Sequence, residues 1–194
     1  MAGIYIHIPF CKTKCPYCDF YSVTTLHPLE DYLRALSTEI RLRSYELAGE
    51  SVETVYFGGG TPSLLSGRAI GDILRLLQCS FDITEGAEIT LECNPGDLTT
   101  MDLDEVITRG VSRFSIGAQT FDPSLLRFLQ RRHTGEETRE LVRELHRQGI
   151  RNISLDLIYG IPGSSDETLR ADLDALIALE PTHISAYHLI YEEG

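Results

Sequence analysis

Short apolar segments recur along the whole chain and alternate with longer segments of helical periodicity. The apolar segments are rich in Ile, Val, Tyr and Phe, a composition typical of strands, and they lie at residues 4–8, 52–57, 88–92, 111–116, 153–158 and 183–189. Strands that alternate with helices along a chain indicate βα units around a parallel sheet. The pattern leaves open whether six such units curl into a partial barrel or form an open, doubly wound sheet.

The segments between the strands carry helix signals. A long helix is predicted over residues 29–48, where apolar positions recur on one face and a glycine follows. Two more helices are predicted from capping boxes, in which Thr134 precedes Glu137 and Ser164 precedes Glu167 by three positions. Shorter helices are predicted at residues 68–77, 103–109 and 123–129.

Composition and charge narrow the choice of partners. Of the 194 residues, 42% are hydrophobic and 24% are charged, which are the proportions of a folded globular protein. Asp and Glu number 29 against 17 for Lys and Arg, so the net charge is −12. This charge argues against nucleic acid or an anionic membrane as the main partner, and a transient membrane contact stays open.

The compartment is inferred from apolar runs and from cysteine usage. Charged residues interrupt every apolar run before it reaches the roughly 18 residues of a membrane-spanning helix, and the N-terminus has no signal-peptide pattern. Five cysteines is an odd number, and three of them lie within eight residues. This usage fits a metal site in a reducing compartment better than a disulfide framework, so we expect a cytoplasmic protein.

The three clustered cysteines, Cys11, Cys15 and Cys18, lie directly after the first predicted strand. Thiolates with this spacing can converge on one metal centre from a single loop. Three protein ligands are one short of a fully protein-ligated 4Fe-4S cluster, and such a cluster would keep one iron open to an external ligand. A zinc ion with His7 or Asp19 as the fourth ligand is the alternative that the spacing leaves open.

Five motifs occur in a fixed order along the chain. The cysteine motif Cys-x3-Cys-x2-Cys follows Tyr-Ile-His-Ile-Pro-Phe, and the others are Phe-Gly-Gly-Gly-Thr-Pro-Ser at 57–63, Glu-Cys-Asn-Pro at 92–95, Ser-Ile-Gly-Ala-Gln-Thr-Phe at 115–121 and Asp-Leu-Ile-Tyr-Gly-Ile-Pro-Gly at 156–163. Together they resemble the radical S-adenosylmethionine (SAM) superfamily. Within it, the chain is similar to the oxygen-independent coproporphyrinogen III oxidases and their heme-chaperone relatives, the HemW-type proteins.

The resemblance implies an α/β fold, a partial (β/α)6 TIM-like barrel with six parallel strands, that holds a 4Fe-4S cluster and SAM. Residues 1–194 would form the radical SAM core, and the C-terminal domain of the family is absent from this chain. In the family, the cluster donates one electron and cleaves SAM into methionine and a 5′-deoxyadenosyl radical. The implied partners are SAM, heme or a porphyrin, a reductant such as a flavodoxin-type donor, and a heme-acceptor protein.

The resemblance also implies roles for residues near the cysteine loop. The three loop cysteines, Cys11, Cys15 and Cys18, would ligate the cluster. Tyr5 would lie against SAM and Tyr17 near its adenine. The methionine amino group would bind at Gly59, Gly60 and Thr61. Alternation along the first strand places Tyr5 opposite the isoleucines, and it leaves open that Tyr5 is simply a core tyrosine.

Three polar residues, Glu92, Gln119 and Asp156, lie at or just past the ends of predicted strands. By resemblance they hydrogen-bond the ribose hydroxyls and other polar parts of SAM. Arg131 matches the arginine that pairs with the methionine carboxylate, for which a planar guanidinium is well shaped, and spacing leaves Arg132 open as well. Because carboxyl ends of parallel strands meet at one edge, we expect the site residues and the cysteine loop on one rim.

The remaining candidates are interpreted as structural. Cys79 ends a predicted helix and Cys93 follows a strand, so both are expected to be buried packing thiols. His7 is expected in the core or behind the site, and no role is assigned to His133. The acidic stretch at 136–144 is expected to be a solvated helix face.

One position separates the two branches of the resemblance. The oxidases carry a fourth cysteine two residues after the third, and this chain has Phe20 there. Phenylalanine can neither ligate a metal nor exchange hydrogen as a thiol does. The sequence therefore favours a heme chaperone, with coproporphyrinogen decarboxylation as the alternative and a zinc-bound structural module as a third interpretation.

Overall fold

The computed structural model describes residues 2–190 and contains a parallel sheet. Its strands are β1 Ala2–Ile8, β2 Ser51–Gly59, β3 Asp82–Cys93, β4 Arg113–Gln119, β5 Ile153–Tyr159 and β6 His183–His188. Each strand pairs in parallel with the next one along the chain, so the order in the sheet is β1 to β6. A doubly wound sheet reverses its strand order at a switch point. The uninterrupted order therefore identifies the partial (β/α)6 barrel and confirms the prediction of six parallel strands.

Helices fill the connections between the strands. They are α1 Leu29–Leu42, α2 Gly67–Ser80, α3 Thr100–Thr108, α4 Pro123–Phe128, α5 Gly135–Arg147 and α6 Asp166–Ile177, with 3₁₀ turns at Ser44–Leu47 and Pro62–Leu64. Among residues 2–190, no helix is both long and apolar enough to cross a lipid bilayer.

The first helix is shorter than predicted. It ends at Leu42 rather than near residue 48, and the chain continues as a 3₁₀ turn. At this point the Ser44 hydroxyl donates to the carbonyl oxygen of Arg41 at 2.9 Å. Such a local bond from a serine side chain competes with the regular helical ladder, which explains the early end.

One of the two predicted capping boxes is present. The Thr134 side chain accepts from the backbone N–H of Glu137, whose carboxylate in turn accepts from the N–H of Thr134. The prediction for α6 is wrong by one position, because its N-cap is Ser165, which accepts from the N–H of Thr168. The Ser164 hydroxyl instead donates to a carbonyl oxygen three residues earlier, at 2.6 Å, and so closes the preceding turn.

The two faces of the sheet differ in polarity. On β5, Ile153, Leu155 and Leu157 are buried among apolar side chains of the core. Asp156 points to the opposite face, because successive residues of a strand alternate. That opposite face is the inside of the partial barrel, and polar residues from several strands line it.

Cys79 is exposed, which contradicts the prediction of a buried packing thiol. The buried face of α2 runs through Ile70, Leu74 and Leu77 at helical spacing. Cys79 lies two positions after Leu77 and is therefore turned about 200° away from that face. Cys93 is buried, as predicted.

Candidate cluster and cofactor site

A cavity of about 690 Å³ opens beside the cysteine loop at the carboxyl ends of the strands. All but one of the residues that the resemblance assigns to the cluster and to SAM line it. These residues are Cys11, Cys15, Tyr17, Cys18, Gly59, Gly60, Thr61, Glu92, Gln119, Arg131 and Asp156. The fold thus brings residues from both halves of the chain onto one rim.

Tyr5 is the predicted site residue that does not line the cavity. Its ring stacks on that of Tyr56 with 5.9 Å between centroids, and its hydroxyl lies 3.3 Å from Nδ1 of His7. Tyr5 is 54% exposed, so it is not a core tyrosine either. The reason is that β1 is an edge strand of the sheet, which leaves part of its inner face open to solvent.

The cysteine loop is anchored by backbone hydrogen bonds. The N–H of Cys11 donates to the carbonyl oxygen of Val23 at 3.0 Å, and the N–H of Val23 donates to that of Pro9 at 2.8 Å. Within the loop, the N–H of Cys18 donates to the carbonyl oxygen of Cys15 at 3.1 Å. Cys11 is buried, the other two thiols are half-buried, and all three are free. A fixed loop therefore presents three free thiols at the cavity.

His7 is engaged in hydrogen bonds on both ring nitrogens. Its Nε2 lies 3.0 Å from the carbonyl oxygen of Tyr21, and its Nδ1 faces the hydroxyl of Tyr5. Within residues 2–190, no three Cys, His, Asp or Glu side chains are grouped closely enough to hold a single metal ion. Because both ring nitrogens are engaged, His7 is poorly suited to complete a zinc site. These hydrogen bonds agree with the prediction that His7 is not a metal ligand.

The glycine strip at residues 58–60 is packed against β1 and against Phe10, which directly precedes the cysteine loop. Gly59 has φ 109° and its N–H donates to Glu92, while a Cβ on Gly60 would lie 2.6 Å from the carbonyl oxygen of Phe10. Only glycine fits both conditions. The N–H groups of Gly60 and Thr61 donate to strand β1 and to Phe10. The N–H groups of residues 59–61 are therefore all used within the protein.

Two donors reach the thiols of the loop from the cavity wall. The Thr61 hydroxyl donates to Sγ of Cys11 at 3.5 Å, and Nη1 of Arg131 donates to Sγ of Cys15 at 3.7 Å. Hydrogen bonds to cysteine sulfurs are a usual part of an iron–sulfur site, where they stabilise the thiolate charge. The residues present therefore fit a cluster bound at this loop.

Arg131 points into the site and is held there. Its Nη2 donates to the carbonyl oxygen of Gly117 at 2.9 Å and also to Oδ1 of Asn94. Its Nε is buried without a hydrogen-bond partner, so the guanidinium keeps an unused donor. A carboxylate ligand could accept from it. The neighbouring Arg132 instead turns to Asp97 at the cavity mouth, with 2.8 Å between Nη2 and Oδ1. The structure therefore favours Arg131 over Arg132 for a carboxylate inside the cavity.

Two carboxylates face the inside of the barrel. Glu92 accepts from the hydroxyl of Tyr56 at 2.7 Å and from the N–H of Gly59 at 3.1 Å, and burial raises the pKa of its carboxyl group. Burial and the nearby charge of Glu92 raise the pKa of Asp156 to about 6. Both carboxylates are positioned to accept hydrogen bonds from hydroxyl groups of a ligand in the cavity.

The raised pKa of Asp156 leads to a stability prediction. Between its ordinary value of 3.8 and about 6, the folded protein binds more protons than the unfolded chain, so stability falls as the pH rises. At pH 7 this lowers the free energy of unfolding by up to about 3 kcal/mol. Asp156→Asn should therefore stabilise the cofactor-free protein at pH 7.5 and have little effect at pH 4. Urea unfolding at both pH values measures this, and equal stability of the two proteins at pH 7.5 would contradict it.

The loop after β4 is pinned by a buried acid. Asp172 on α6 accepts from the hydroxyl of Thr120 and from the N–H of Phe121, each at 2.7 Å. Gln119, just before them, is buried and has φ 66°, a left-handed conformation that is rare outside glycine. The pinned loop thus keeps Gln119 in a strained conformation at the cavity, a feature typical of ligand-binding positions. His133 supports the same strand end through a 3.2 Å contact between Nε2 and the carbonyl oxygen of residue 118.

Asn94 and Asp97 hold the site together, although the sequence analysis assigns no role to either of them. Asn94 donates to the Thr61 hydroxyl and to Asp97, each at 3.3 Å, and it also binds Arg131. The Asp97 side chain is fully buried and bridges Lys12 and Arg132, with 2.8 Å to each. Hydrogen bonds from these two cations outweigh burial and lower the pKa of Asp97. Asn94 lies in the Glu-Cys-Asn-Pro motif, which is the one hint that the sequence contains.

The chain matches the family model of the Radical SAM superfamily over residues 5–176. The heme chaperone HemW of Lactococcus lactis subsp. lactis is 37% identical over 190 residues, which cover 97% of this chain and 49% of that protein. The heme chaperone HemW of Escherichia coli K12 is 38% identical over 192 residues, covering 98% and 51%. The chain therefore spans about half the length of the curated relatives it matches.

Solved structures give the same picture of the fold. Coproporphyrinogen III oxidase (HemN) from Escherichia coli, described as a radical SAM enzyme, has a TM-score of 0.92 at 31% identity and covers 98% of this chain and 44% of its own. Native anSMEcpe with bound AdoMet has a TM-score of 0.70 at 13% identity, covering 99% and 54%, and shares the fold alone. Since the family model matches most of its length, the chain belongs to the radical SAM superfamily, the family that uses SAM together with a 4Fe-4S cluster.

Proposed function

We propose that this chain is the radical SAM core of a HemW-type heme chaperone. The observation that carries the choice of branch is Phe20, which lines the cavity two residues after Cys18 and is 65% exposed. The oxidases of the family have a cysteine at this position. A phenyl ring offers the site neither a fourth thiolate nor a hydrogen that can be exchanged. The similarity to two HemW proteins at 37% and 38% identity supports the same choice.

We assign each end of SAM to a part of the cavity. The cluster would be held by Cys11, Cys15 and Cys18, and when bound it supplies the electron for reductive cleavage of SAM. The carbonyl oxygens of the glycine strip accept from the methionine amino group, and Arg131 binds the methionine carboxylate. The hydroxyl groups and other polar atoms of SAM would be bound by Glu92, Gln119 and Asp156.

Tyr17 would lie beside the adenine. Its ring is half-buried against a small apolar cluster, which leaves one part of it on the cavity wall. An aromatic side chain held in this way provides a flat apolar surface for a purine. Tyr5 lies outside the cavity lining but stacks on Tyr56, which is part of that lining, and it would lie at the edge of the bound SAM.

Heme handling would involve more than this chain. We propose that residues 1–194 form the core domain and that a second domain of the relatives, which are about twice as long, completes the heme site. The outer strand β6 has exposed apolar side chains, with Tyr187 58% and Ile184 37% exposed, and offers a flank for such a domain. A heme-acceptor protein and a one-electron reductant of the flavodoxin type would be the protein partners, in the reducing cytoplasm that free thiols favour.

Oxygen-independent coproporphyrinogen III oxidase is the second candidate. It is favoured by the TM-score of 0.92 with the Escherichia coli enzyme. Such an enzyme would decarboxylate coproporphyrinogen III oxidatively to protoporphyrinogen IX.

Two assays on a full-length protein that carries this chain separate the candidates. Heme added to the chaperone should give a stable shift in its absorbance spectrum. Coproporphyrinogen III, supplied anaerobically with SAM and a reductant, should yield no protoporphyrinogen IX. Efficient turnover of coproporphyrinogen III would defeat the chaperone proposal, however tightly the protein bound heme.

A further inference from the structure

Both lysines of the chain lie in the cysteine loop. The sequence has 17 basic residues, of which 15 are arginines distributed over the chain from residue 34 onward and two are Lys12 and Lys14. Each lysine lies between cluster cysteines, and both line the mouth of the cavity. The placement is notable because the chain as a whole carries a net charge of −12.

The two lysines differ in how they are held. Lys12 is paired with Asp97, and its side chain remains 42% exposed. Lys14 is exposed and makes neither a hydrogen bond nor an ion pair with the part of the chain that the structure describes. Lys14 is therefore a free positive charge close to the proposed cluster.

Lys12, Lys14 and Arg132 form what we call the basic patch. Asp97, whose side chain is fully buried, lies between Lys12 and Arg132, and Asp19 lies in the same loop. The charged residues that line the cavity are Lys12, Lys14, Arg113, Arg131 and Arg132 against Asp19, Glu92 and Asp156, so with Asp97 the formal sum is 5 − 4, or +1.

Two aromatic side chains extend the loop surface. Phe20 is 65% exposed and Tyr21 is 72% exposed. Aromatic side chains are enriched in protein interfaces, and the rims of interfaces are polar and open to solvent. The surface around the cysteine loop thus has the composition of a small docking site.

We propose that the basic patch, with Phe20 and Tyr21, is the docking surface for an acidic one-electron carrier protein that reduces the cluster. This inference rests on the proposed cluster at the loop. One electron passes from the carrier, which is oxidised, to the bound cluster, which is reduced, and no covalent bond forms or breaks. The remaining surface, with a net negative charge, repels an acidic carrier and leaves the patch as the favoured place of encounter.

A transient electron-transfer complex needs only a small surface of this kind. Redox complexes have small interfaces, and their association depends on charge complementarity more than on buried area. A carrier that binds the three cations at the mouth of the cavity would lie next to the cysteine loop. Lys14 is the best residue to vary, because Lys12 and Arg132 also hold Asp97 in the site.

The test measures reduction of the reconstituted cluster by a purified, reduced flavodoxin with an acidic surface. Lys14→Glu should lower the second-order rate constant on the order of tenfold at low ionic strength. The difference should fade as added salt shortens the screening length towards about 3 Å at 1 M. Lys14→Arg keeps the charge and should react as the original protein does. The dissociation constant of the complex, measured by calorimetry, should rise for Lys14→Glu and stay unchanged for Lys14→Arg.

Controls separate docking from effects on the cluster. Arg151→Glu makes the same change of charge in an exposed loop before β5, at the opposite end of the sheet, and should leave the rate unchanged. Dithionite, a small reductant, should reduce all variants equally, and failure of dithionite to reduce any of them would contradict the proposed cluster instead. Equal rates for Lys14→Glu and the original protein with flavodoxin would overturn the docking proposal. So would a Lys14→Glu variant that loses heme affinity alone, since the patch would then serve porphyrin carboxylates.

Discussion

Cys18→Ala should lose the iron and the brown colour of the anaerobically purified protein, whereas Cys79→Ala should retain both. Cys18 is half-buried on the cavity wall in a loop fixed by backbone hydrogen bonds, and it is one of three thiols available to a cluster there. Removal of one of three thiolates leaves two irons without a protein ligand, counting the iron that is already open. Iron and sulfide content per chain, with the visible absorbance spectrum, measures the effect.

Cys79 is a matched control because it is a free thiol outside the site. It is exposed on the outer face of α2, and its loss should alter neither folding nor iron content. Full iron and sulfide in the Cys18→Ala protein would show that the cluster is bound elsewhere or by other ligands.

Arg131→Ala should weaken SAM binding to the cluster-loaded protein by roughly 10- to 150-fold. This range corresponds to the loss of one charge-assisted hydrogen bond, worth about 1.5–3 kcal/mol. The guanidinium is oriented by Gly117 and Asn94, and its buried Nε has no partner of its own. Isothermal titration calorimetry with SAM under anaerobic conditions measures the dissociation constant.

Arg131→Lys and Arg132→Ala sharpen this test. Lysine keeps the charge without the planar fork, so its effect should lie between those of arginine and alanine. Arg132 binds Asp97 at the cavity mouth, and its removal should weaken SAM binding less than Arg131→Ala does. Because Arg131 also donates to Cys15, the cluster content of each variant must be matched first. Equal affinity of the original protein and Arg131→Ala would remove Arg131 from the proposed site.

Much of the fold is predictable from the sequence because strand and helix signals are local. The apolar segments at 4–8 and 153–158 fall inside β1 and β5. In a parallel sheet all carboxyl ends lie at the same edge, so residues that follow the predicted strands can be assigned to one rim. The order of strands in the sheet is not local. Hydrogen bonding between neighbouring strands sets it, and periodicity along one strand carries no information about its neighbour.

The errors of prediction arise from geometry on the scale of one or two residues. A helix rotates by about 100° per residue, so a two-residue offset moves Cys79 from the core face to solvent. Ser164 and Ser165 are chemically identical candidates for the N-cap, and only the preceding turn decides between them. The exposure of Tyr5 rules out the alternative of a core tyrosine, and it follows from the edge position of β1, which the sequence of that strand does not reveal.

The polar contacts of the site are the part that sequence reasoning could not supply. Asn94 and Asp97 join the cysteine loop to Arg131 and Arg132 through hydrogen bonds between residues far apart in the chain. Such contacts depend on side-chain directions in the folded protein. A motif can place Asn94 near a strand end, but it does not indicate which of several polar groups will accept its hydrogen bonds.

The central claim is that the cysteine loop holds a 4Fe-4S cluster. The most direct test is the iron, zinc and acid-labile sulfide content of the protein purified and reconstituted without oxygen. We expect about four iron atoms and four sulfides per chain and no stoichiometric zinc. One zinc ion per chain without sulfide would contradict the cluster, and with it the proposed binding of SAM.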